Sequence, residues 1–326
     1  MSIFVPKIKE KGLLEQIQIT VCIVGSRKIS SKDDYGAGIW SIFAPNLTII
    51  GFDVDADACE VAEKQLASKS ITWTEKHIPL ALSKSIGEST LYVTQGVHCS
   101  SLYPPNESYI QRFHGMRDGL KLDYTIEIET TTLDTFCQEQ GIKEIDFLQV
   151  DVQGADLDVL QGSINILKST VLGVEVEVEF SSLYRNQPLF SDIDYYLKKY
   201  GFTLFDLVTN DGWCRRPRAI SPICSPVRNG QLLWADACYL RDPFIDNIEA
   251  KIHQPEKILK LACVADVLGF PDYTLEILEH LTIQYGNNPQ YNFSRIIVEV
   301  LSQFPDLVEK GLDSLPVVVN VSPYLN

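Results

Sequence analysis

Four side chains and one glycine stand where apolar runs of the chain end, and their types suggest ligand chemistry. Gly25 and Ser26 follow the run 17–24 (IQITVCIV), and Asp53 ends 47–53 (LTIIGFD). Asp151 falls near the end of 145–152 (IDFLQVDV), and Glu179 lies in the run 171–180. A glycine turn lets a nucleoside-bearing cofactor approach the backbone, and a carboxylate at a neighbouring strand end accepts both ribose hydroxyls. A carboxylate beside a reacting hydroxyl can take its proton. Asp151 has a second reading, as N-cap of a helix beginning near Gly154. Glu175, Glu177 and Glu179 alternate with valines in a strand that a parallel sheet would cover on both faces. Buried carboxylates are costly unless paired. At least one therefore belongs at the open strand end, where Glu179 is nearest, and Glu175 can be solvated at the strand start. Gly36-Ala37-Gly38 partly matches a pyrophosphate-binding motif but lies eleven residues beyond Gly25, which favours a structural turn. His98, in a long loop, reads as a surface histidine. Arg215, Arg216 and Arg218 could hold a phosphate or carboxylate, or form a solvated turn.

Positioning such groups takes a parallel sheet. Residues 143–180 read as strand, helix, strand, with Leu157, Leu160, Ile164 and Leu167 at helical spacing between two apolar runs. That crossover demands parallel strands covered on both faces, with ligands beyond their carboxyl ends. Upstream the pattern predicts strands over 17–25 and 47–53, a short helix over 39–43 and a helix over 56–69. A third strand runs from 71 into a loop by 82. Residues 90–94 and 124–130 alternate like half-exposed antiparallel strands. Between them 96–119, rich in Gly, Ser and Pro, is long enough to be a functional loop over an acceptor. Thr132 and Gly141 bracket a helix over 133–140. A helix over 192–200, a strand over 202–207 and a strand over 231–240 complete this part, the last two as a β-hairpin. From 243 the pattern is helical, over 245–253, 256–268, 272–285 and 291–303. The expected fold is α/β, a doubly wound, mostly parallel sheet, with residues 1–242 as one domain and 243–326 as a helical extension. The stripe Ile258, Leu261, Val264 and Leu268 should be buried against the sheet or a second subunit, which leaves open a homo-oligomer through these helices.

The net charge of −15 and pI near 4.8 argue against nucleic acid and anionic membrane as partners. The eight cysteines never form C-x-x-C and no histidine stands at ligand spacing from them, so no metal site is expected. A reduced environment fits them. The first residues lack the apolar core of a signal peptide, and no apolar run approaches a membrane span. A soluble, cytoplasmic protein is the expectation.

Several longer stretches carry a resemblance: TTLDTF (131–136), IDFLQVDVQGADLDVLQG (145–162), GVEVEVEFSSLYRNQPLF (173–190) and YGFTLFDL (200–207). GFDVDADAC (51–59), IPLALSKSIGESTLYVT (78–94), CSSLYPPN (99–106) and QLLWADACYLRD (231–242) add to them. With these, residues 20 to 242 resemble the FkbM-type methyltransferases, S-adenosylmethionine-dependent enzymes of the Rossmann-like class I fold. The resemblance implies a seven-stranded sheet with S-adenosyl-L-methionine across the ends of its first strands. It implies Val24, Gly25, Ser26, Asp53, Val54, Ala81, Leu82 and Asp151 as donor-binding residues. Gly25 would lie against the methionine part, Asp53 on the ribose, and Ala81 and Leu82 near the adenine. Asp151, between donor and acceptor, and Glu179 are the catalytic candidates. Ser101, Tyr103, Tyr184 and Gln187 are the acceptor-binding candidates. The implied reaction is O-methylation of a hydroxyl on a sugar, glycan or small metabolite. One departure stands out. The family's first motif, Asp-x-Gly, reads Ile23-Val24-Gly25 here, so the carboxylate that helps orient the donor's amino acid part is missing; Asp33 or Asp34 could replace it. Two rival expectations follow: a binding module that has lost turnover, and a nicotinamide-dependent oxidoreductase, disfavoured by the misplaced glycines.

Overall fold

The computed structural model describes residues 2–28, 34–209, 213–223, 225–244 and 252–325. Seven strands build one sheet: β1 (Ile19–Val24), β2 (Leu47–Asp53), β3 (Thr74–Pro79), β4 (Phe147–Val150), β5 (Gly173–Glu179), β6 (Phe202–Val208) and β7 (Trp234–Arg241). Their order is β3-β2-β1-β4-β5-β7-β6, with β7 antiparallel to both neighbours and the other pairings parallel. This is a mostly parallel α/β sheet with helices on both faces. Strand order reverses at β1, so the crevice between the flanking ends of β2 and β4 is the topological switch point where such sheets take ligands.

Alternation divides the strands between two cores. Cys22, Val24, Ile50, Phe52, Leu148, Val150, Val174, Val176 and Val178 face one side, under the helices Leu133–Gln140, Asp156–Gln161, Ile164–Ser169 and Phe190–Lys199. Val21, Ile23, Ile49 and Phe147 face the other, in one core with the helices Pro255–Leu268, Pro271–Tyr285, Ser294–Leu301 and Pro316–Val321. The Ile258, Leu261 and Val264 stripe is buried there. Further along this face, toward the strand ends, the register presents Gln149, Glu175, Glu177 and Glu179 instead of apolar residues.

Two buried side chains of the helix Pro255–Leu268 fasten it, Lys260 to the sheet and Asp266 to the N-terminal segment. Lys260 Nζ lies 3.0 Å from Asp146 Oδ1 and 3.1 Å from Glu144 Oε2, while Asp146 Oδ2 accepts the Thr20 N–H at 2.8 Å. Burial disfavours the Lys260 ammonium, but Asp146 and Glu144 outweigh it and raise its pKa. Asp266 accepts the N–H groups of Ile3, Phe4 and Val5 and the Ser2 hydroxyl. It thereby holds the start of the helix Val5–Glu10.

Several expectations hold closely: Ile39–Phe43 is a single 3-10 turn, and Leu133–Gln140 has Thr132 as N-cap and Gly141 at φ +68° beyond its end. The crossover helix departs from the pattern. It is two short helices, parted at Gly162 and Ser163. A Cβ on Gly162 would stand 2.1 Å from Ser83 O, and Asp134 caps the second piece through Asn165 N and Ile166 N. Close packing here overrides the helical spacing. The 96–119 stretch is not an open loop. Together with Leu120 it forms the turns Val97–Cys99, Glu107–Ile110 and Arg117–Leu120, and Ile110, Phe113, Met116 and Leu120 are buried against Leu183, Tyr184 and Leu233. Residues 87–94 and 122–131 form the expected antiparallel pair, with Ala81–Leu82 added as a third, parallel strand. The helix expected over 245–253 lies outside the described residues except at Ile252 and His253, which are not helical.

Candidate functional site

The turn after β1 fixes the geometry. Gly25 has φ +87°, a left-handed conformation that glycine adopts freely. A Cβ there would stand 1.9 Å from the carbonyl oxygen of Asp151. The main chains after β1 and β4 are thus in contact, and Asp151 N donates to Val24 O at 2.9 Å. On the other flank, Gly25 N and Ser26 N both donate to Phe52 O. Gly25, Asp53 and Asp151 are therefore brought together, as the strand ends suggested.

Asp53 Oδ2 accepts the Arg27 N–H at 3.1 Å and Oδ1 accepts the Asp55 N–H at 2.8 Å. Burial raises its pKa against these bonds. Each oxygen keeps a lone pair for a further donor. Val54 is exposed beside it, and Leu80 N donates to Asp53 O, which sets Ala81 and Leu82 next to the same strand end. The Val24 side chain belongs to the core, so only its backbone faces the turn. A cleft of about 480 Å³ adjoins this corner, lined by Arg27, Lys28, Asp55, Asp57, Val97 and His98 among others. His98 thus comes close to the β1 turn, which its sequence context did not reveal.

On the β4 side, Asp151 is exposed and its Oδ1 accepts Gln153 Nε2 at 2.9 Å. The same amide reaches Glu177 Oε2 at 2.9 Å. Tyr184 Oη lies 2.8 Å from Cys99 O and 3.0 Å from Gln153 Oε1, able to donate to one at a time. Gln153 has φ +57°, which a non-glycine residue rarely adopts; it is the hub of this network, and no sequence signal marked it. Asp151 is not the helix cap: the N-cap position is Ala155, and Asp156 instead takes the N–H groups of Val152 and Gly154. Burial and then Asp151 push the Asp156 carboxyl up to about 8.

Glu179 departs from expectation. It is 2% exposed rather than open to the crevice, with Oε2 lacking a partner among the described residues. Trp234 lies opposite it in register, and Gln187, on the segment that follows β5, contacts it. Burial, then Asp156 and Asp151, raise its pKa well above the carboxylate range. Glu177, one step earlier, is the glutamate linked to Asp151. Its pKa is raised by burial and by Asp151 as well.

Of the acceptor-binding candidates, Tyr184 and Gln187 join this cluster. Gln187 Oε1 accepts the Tyr184 N–H, and its amide backs Gly154. Ser101 is buried, paired through its backbone with Tyr92, and its hydroxyl accepts the Tyr103 N–H. Tyr103 Oη donates to Asp158 Oδ2 at 3.1 Å. Both fasten the loop rather than stand free.

Ser26 leads into a chain that sequence reasoning missed. Its Oγ lies 3.0 Å from His77 Nδ1, and His77 Nε2 lies 3.1 Å from Glu75 Oε1. Lys28 Nζ and Trp73 Nε1 complete the Glu75 shell at 2.9 and 2.8 Å. Burial disfavours the Glu75 charge, but the bonds from His77, Trp73 and Lys28 outweigh it and hold its pKa at about 2. Since the carboxylate only accepts, Nε2 carries the hydrogen and Nδ1 accepts from Ser26 in the neutral ring. Serine, histidine and carboxylate in this order suit nucleophilic catalysis, yet Ser26 is 1% exposed and offers no open face to a carbonyl. Gly36 packs on this chain, a Cβ there falling 2.1 Å from Trp73 Nε1, so its glycine serves a close approach. Asp34 pairs with Lys69 at 2.6 Å and with Lys28 at 3.7 Å; Asp33 lies outside the described residues. Among the described residues no group of three His, Cys, Asp or Glu could hold a metal ion. No helix there is long and apolar enough to cross a membrane.

Comparison with known proteins agrees with the motifs. The 2-O-methyltransferase NoeI of Sinorhizobium fredii strain NGR234 is 37% identical over 76 residues, 23% of this chain. The match spans 31% of that protein. Among solved structures, an uncharacterised protein from Listeria monocytogenes serotype 4b aligns over 98% of both chains at 8% identity and a TM-score of 0.31. M. capricolum TrmK, solved with S-adenosyl-homocysteine, aligns over 97% of this chain and 96% of its own, at 8% identity and a TM-score of 0.31. The 16S rRNA methylase ArmA aligns over 73% and 82%, at 7% identity and a TM-score of 0.26. Residues 47–204 match the methyltransferase FkbM domain, a span that runs from β2 into β6 and includes Asp53, Asp151 and Gln153.

Proposed function

We propose that this chain transfers a methyl group from S-adenosylmethionine to a hydroxyl of a sugar, glycan or small metabolite. The observation that carries the reading is the meeting of Gly25, Asp53 and Asp151 at the switch point, in a chain with an FkbM domain. The residues present fit the donor. The left-handed Gly25 turn is half-buried at the switch point, and each Asp53 oxygen has one lone pair left for a ribose hydroxyl. When bound, the donor supplies a methyl group already activated on a sulfonium sulfur. The protein's part is then mainly to place the acceptor in line. Asp151, exposed and steered by Gln153 Nε2, takes the acceptor's proton at Oδ1 or Oδ2. Gln153 is itself held by Tyr184 and Glu177, which fixes the direction of the base.

A second reading, a binding module without turnover, rests on Ile23. That side chain is 1% exposed inside the core shared with the C-terminal helices, so it offers the donor nothing polar. Calorimetric titration with S-adenosylhomocysteine tests the first reading, with Asp53→Ala beside the wild type. Loss of this charge-assisted contact should weaken binding by about 1.5–3 kcal/mol, roughly ten- to a hundredfold. Unchanged affinity in the variant removes Asp53 from the site. Binding without transfer of labelled methyl to any hydroxylated acceptor favours the second reading.

A further inference from the structure

The net charge argues against an anionic surface as partner, but charge acts locally, since salt screens it beyond about 10 Å. One loop reverses the balance. Residues 213–230, WCRRPRAISPICSPVRNG, contain Arg215, Arg216, Arg218 and Arg228 and not one Asp or Glu. Its base is firmly held. Arg215–Arg216 pair with Gln231–Leu232, Phe113 bridges to Arg218, His114 N donates to Pro217 O, and Ala219 N donates to Arg112 O. Its tip projects apolar side chains into solvent: Ile220 is 95% exposed, Ile223 80% and Val227 84%, with Trp213 64% exposed nearer the base. Arg216 lies over the Trp213 ring, 4.2 Å from its centroid. None of the loop's arginines forms an ion pair with a described residue, nor does Arg112 at the foot of the tip.

Three bare aliphatic side chains within eight residues are unfavourable in water. The arginines around them, without an acidic partner among the described residues, call for negative charge. We propose that this tip docks on an anionic lipid surface, with Ile220, Ile223 and Val227 entering the acyl boundary and Arg112 and Arg228 at the headgroups. The geometry is that of an aliphatic wedge in a basic collar, which takes both terms of interfacial binding at once. The docking requires no catalytic activity. It would also set the nearby cluster of Tyr184, Tyr109 and Ser181 close to the lipid, since Gln231 at the loop's base bonds both Tyr109 and Ser181.

Flotation of the full chain with phosphatidylglycerol-containing vesicles, against phosphatidylcholine vesicles, tests this. The wild type should float with the anionic vesicles only, and less as salt rises. Ile220→Ser, Ile223→Ser and Val227→Ser together should lower partitioning tenfold or more. Arg112→Gln and Arg228→Gln should each lower it about fivefold. All five positions are exposed, so an unchanged melting temperature verifies folding in each variant. Absence of wild-type flotation, or equal flotation of the triple variant, overturns the proposal. A dimer seen by sedimentation and lost in the triple variant, with no flotation, reassigns the tip to a second copy of the chain and overturns it equally.

Discussion

Gly25→Ala tests whether the β1 turn and Asp151 form one unit. The added methyl would stand 1.9 Å from Asp151 O and 2.9 Å from its carbonyl carbon. A carbon–oxygen contact normally lies near 3.3 Å, so the two chains must part by about 1.4 Å. They are held by Asp151 N to Val24 O, and by Gly25 N and Ser26 N to Phe52 O. Parting sacrifices at least one of these bonds, about 1–3 kcal/mol where a buried group is left unpaired. The left-handed φ of +87° adds about 1–2 kcal/mol for any residue with a Cβ. A loss near 3 kcal/mol follows. Unfolding entropy of about 2.1 cal/mol/K per residue makes 1 kcal/mol worth about 1.5 °C in a chain of this length. The melting temperature should therefore fall by about 4 °C. A misplacement of about 1 Å costs on the order of 10² in rate, and donor binding should suffer alongside. Thermal scanning and calorimetry with S-adenosylhomocysteine read both. A variant that melts within a degree of the wild type and binds as tightly would refute the contact between turn and base.

Asp151→Asn should leave donor affinity nearly unchanged and lower turnover by roughly 10²–10⁴ with a verified acceptor; normal turnover would pass the role to Glu177, the glutamate that shares Gln153, or to no protein base. Asp156→Asn should show a pH signature. The folded carboxyl titrates at about 8, above the unfolded value near 4, so the folded state holds its proton more tightly and the wild type loses stability as pH rises between those values. Asparagine does not titrate, and the melting temperature of the variant minus that of the wild type should grow across that window; a constant difference would exclude the shift. Lys260→Met strands the buried Asp146 carboxylate and should destabilise by about 3–5 kcal/mol, measured in denaturant; a cost under 1 kcal/mol would mean that the helices do not depend on this pair.

The strands were legible because a parallel sheet needs near-continuous apolar runs, and 47–53 falls on β2 residue for residue. So were Thr132 and Gly141, whose residue types carry their own cap chemistry. Gly25, Asp53 and Asp151 could be placed because strand ends meet at a switch point. What could not be read depends on partners distant in sequence. Ser26 gains meaning only from His77, 51 residues away, and Gly162 ends a helix because Ser83 O occupies its Cβ direction. Glu179 had the right strand end but the wrong environment, since the segment carrying Gln187 folds over it. Gln153 was invisible for a different reason: its importance lies in a backbone conformation that glutamine does not advertise.

The shared core of β1, β2, β4 and the C-terminal helices has a consequence during synthesis. Val21, Ile23, Ile49 and Phe147 share one core with residues between Ile258 and Val321, which complete its cover. When β7 at Trp234–Arg241 leaves the ribosome, that covering is not yet made. At about 5–20 residues per second, the sheet waits roughly 4–16 seconds with one face covered only in part, by Phe4, Trp40, Phe43 and their neighbours. The Ile3, Phe4 and Val5 amides, bound in the end by Asp266, wait as long for their acceptor. Substitutions in the helices should therefore register first as lost yield of newly made chains in the cell, even where the purified survivors keep their donor affinity.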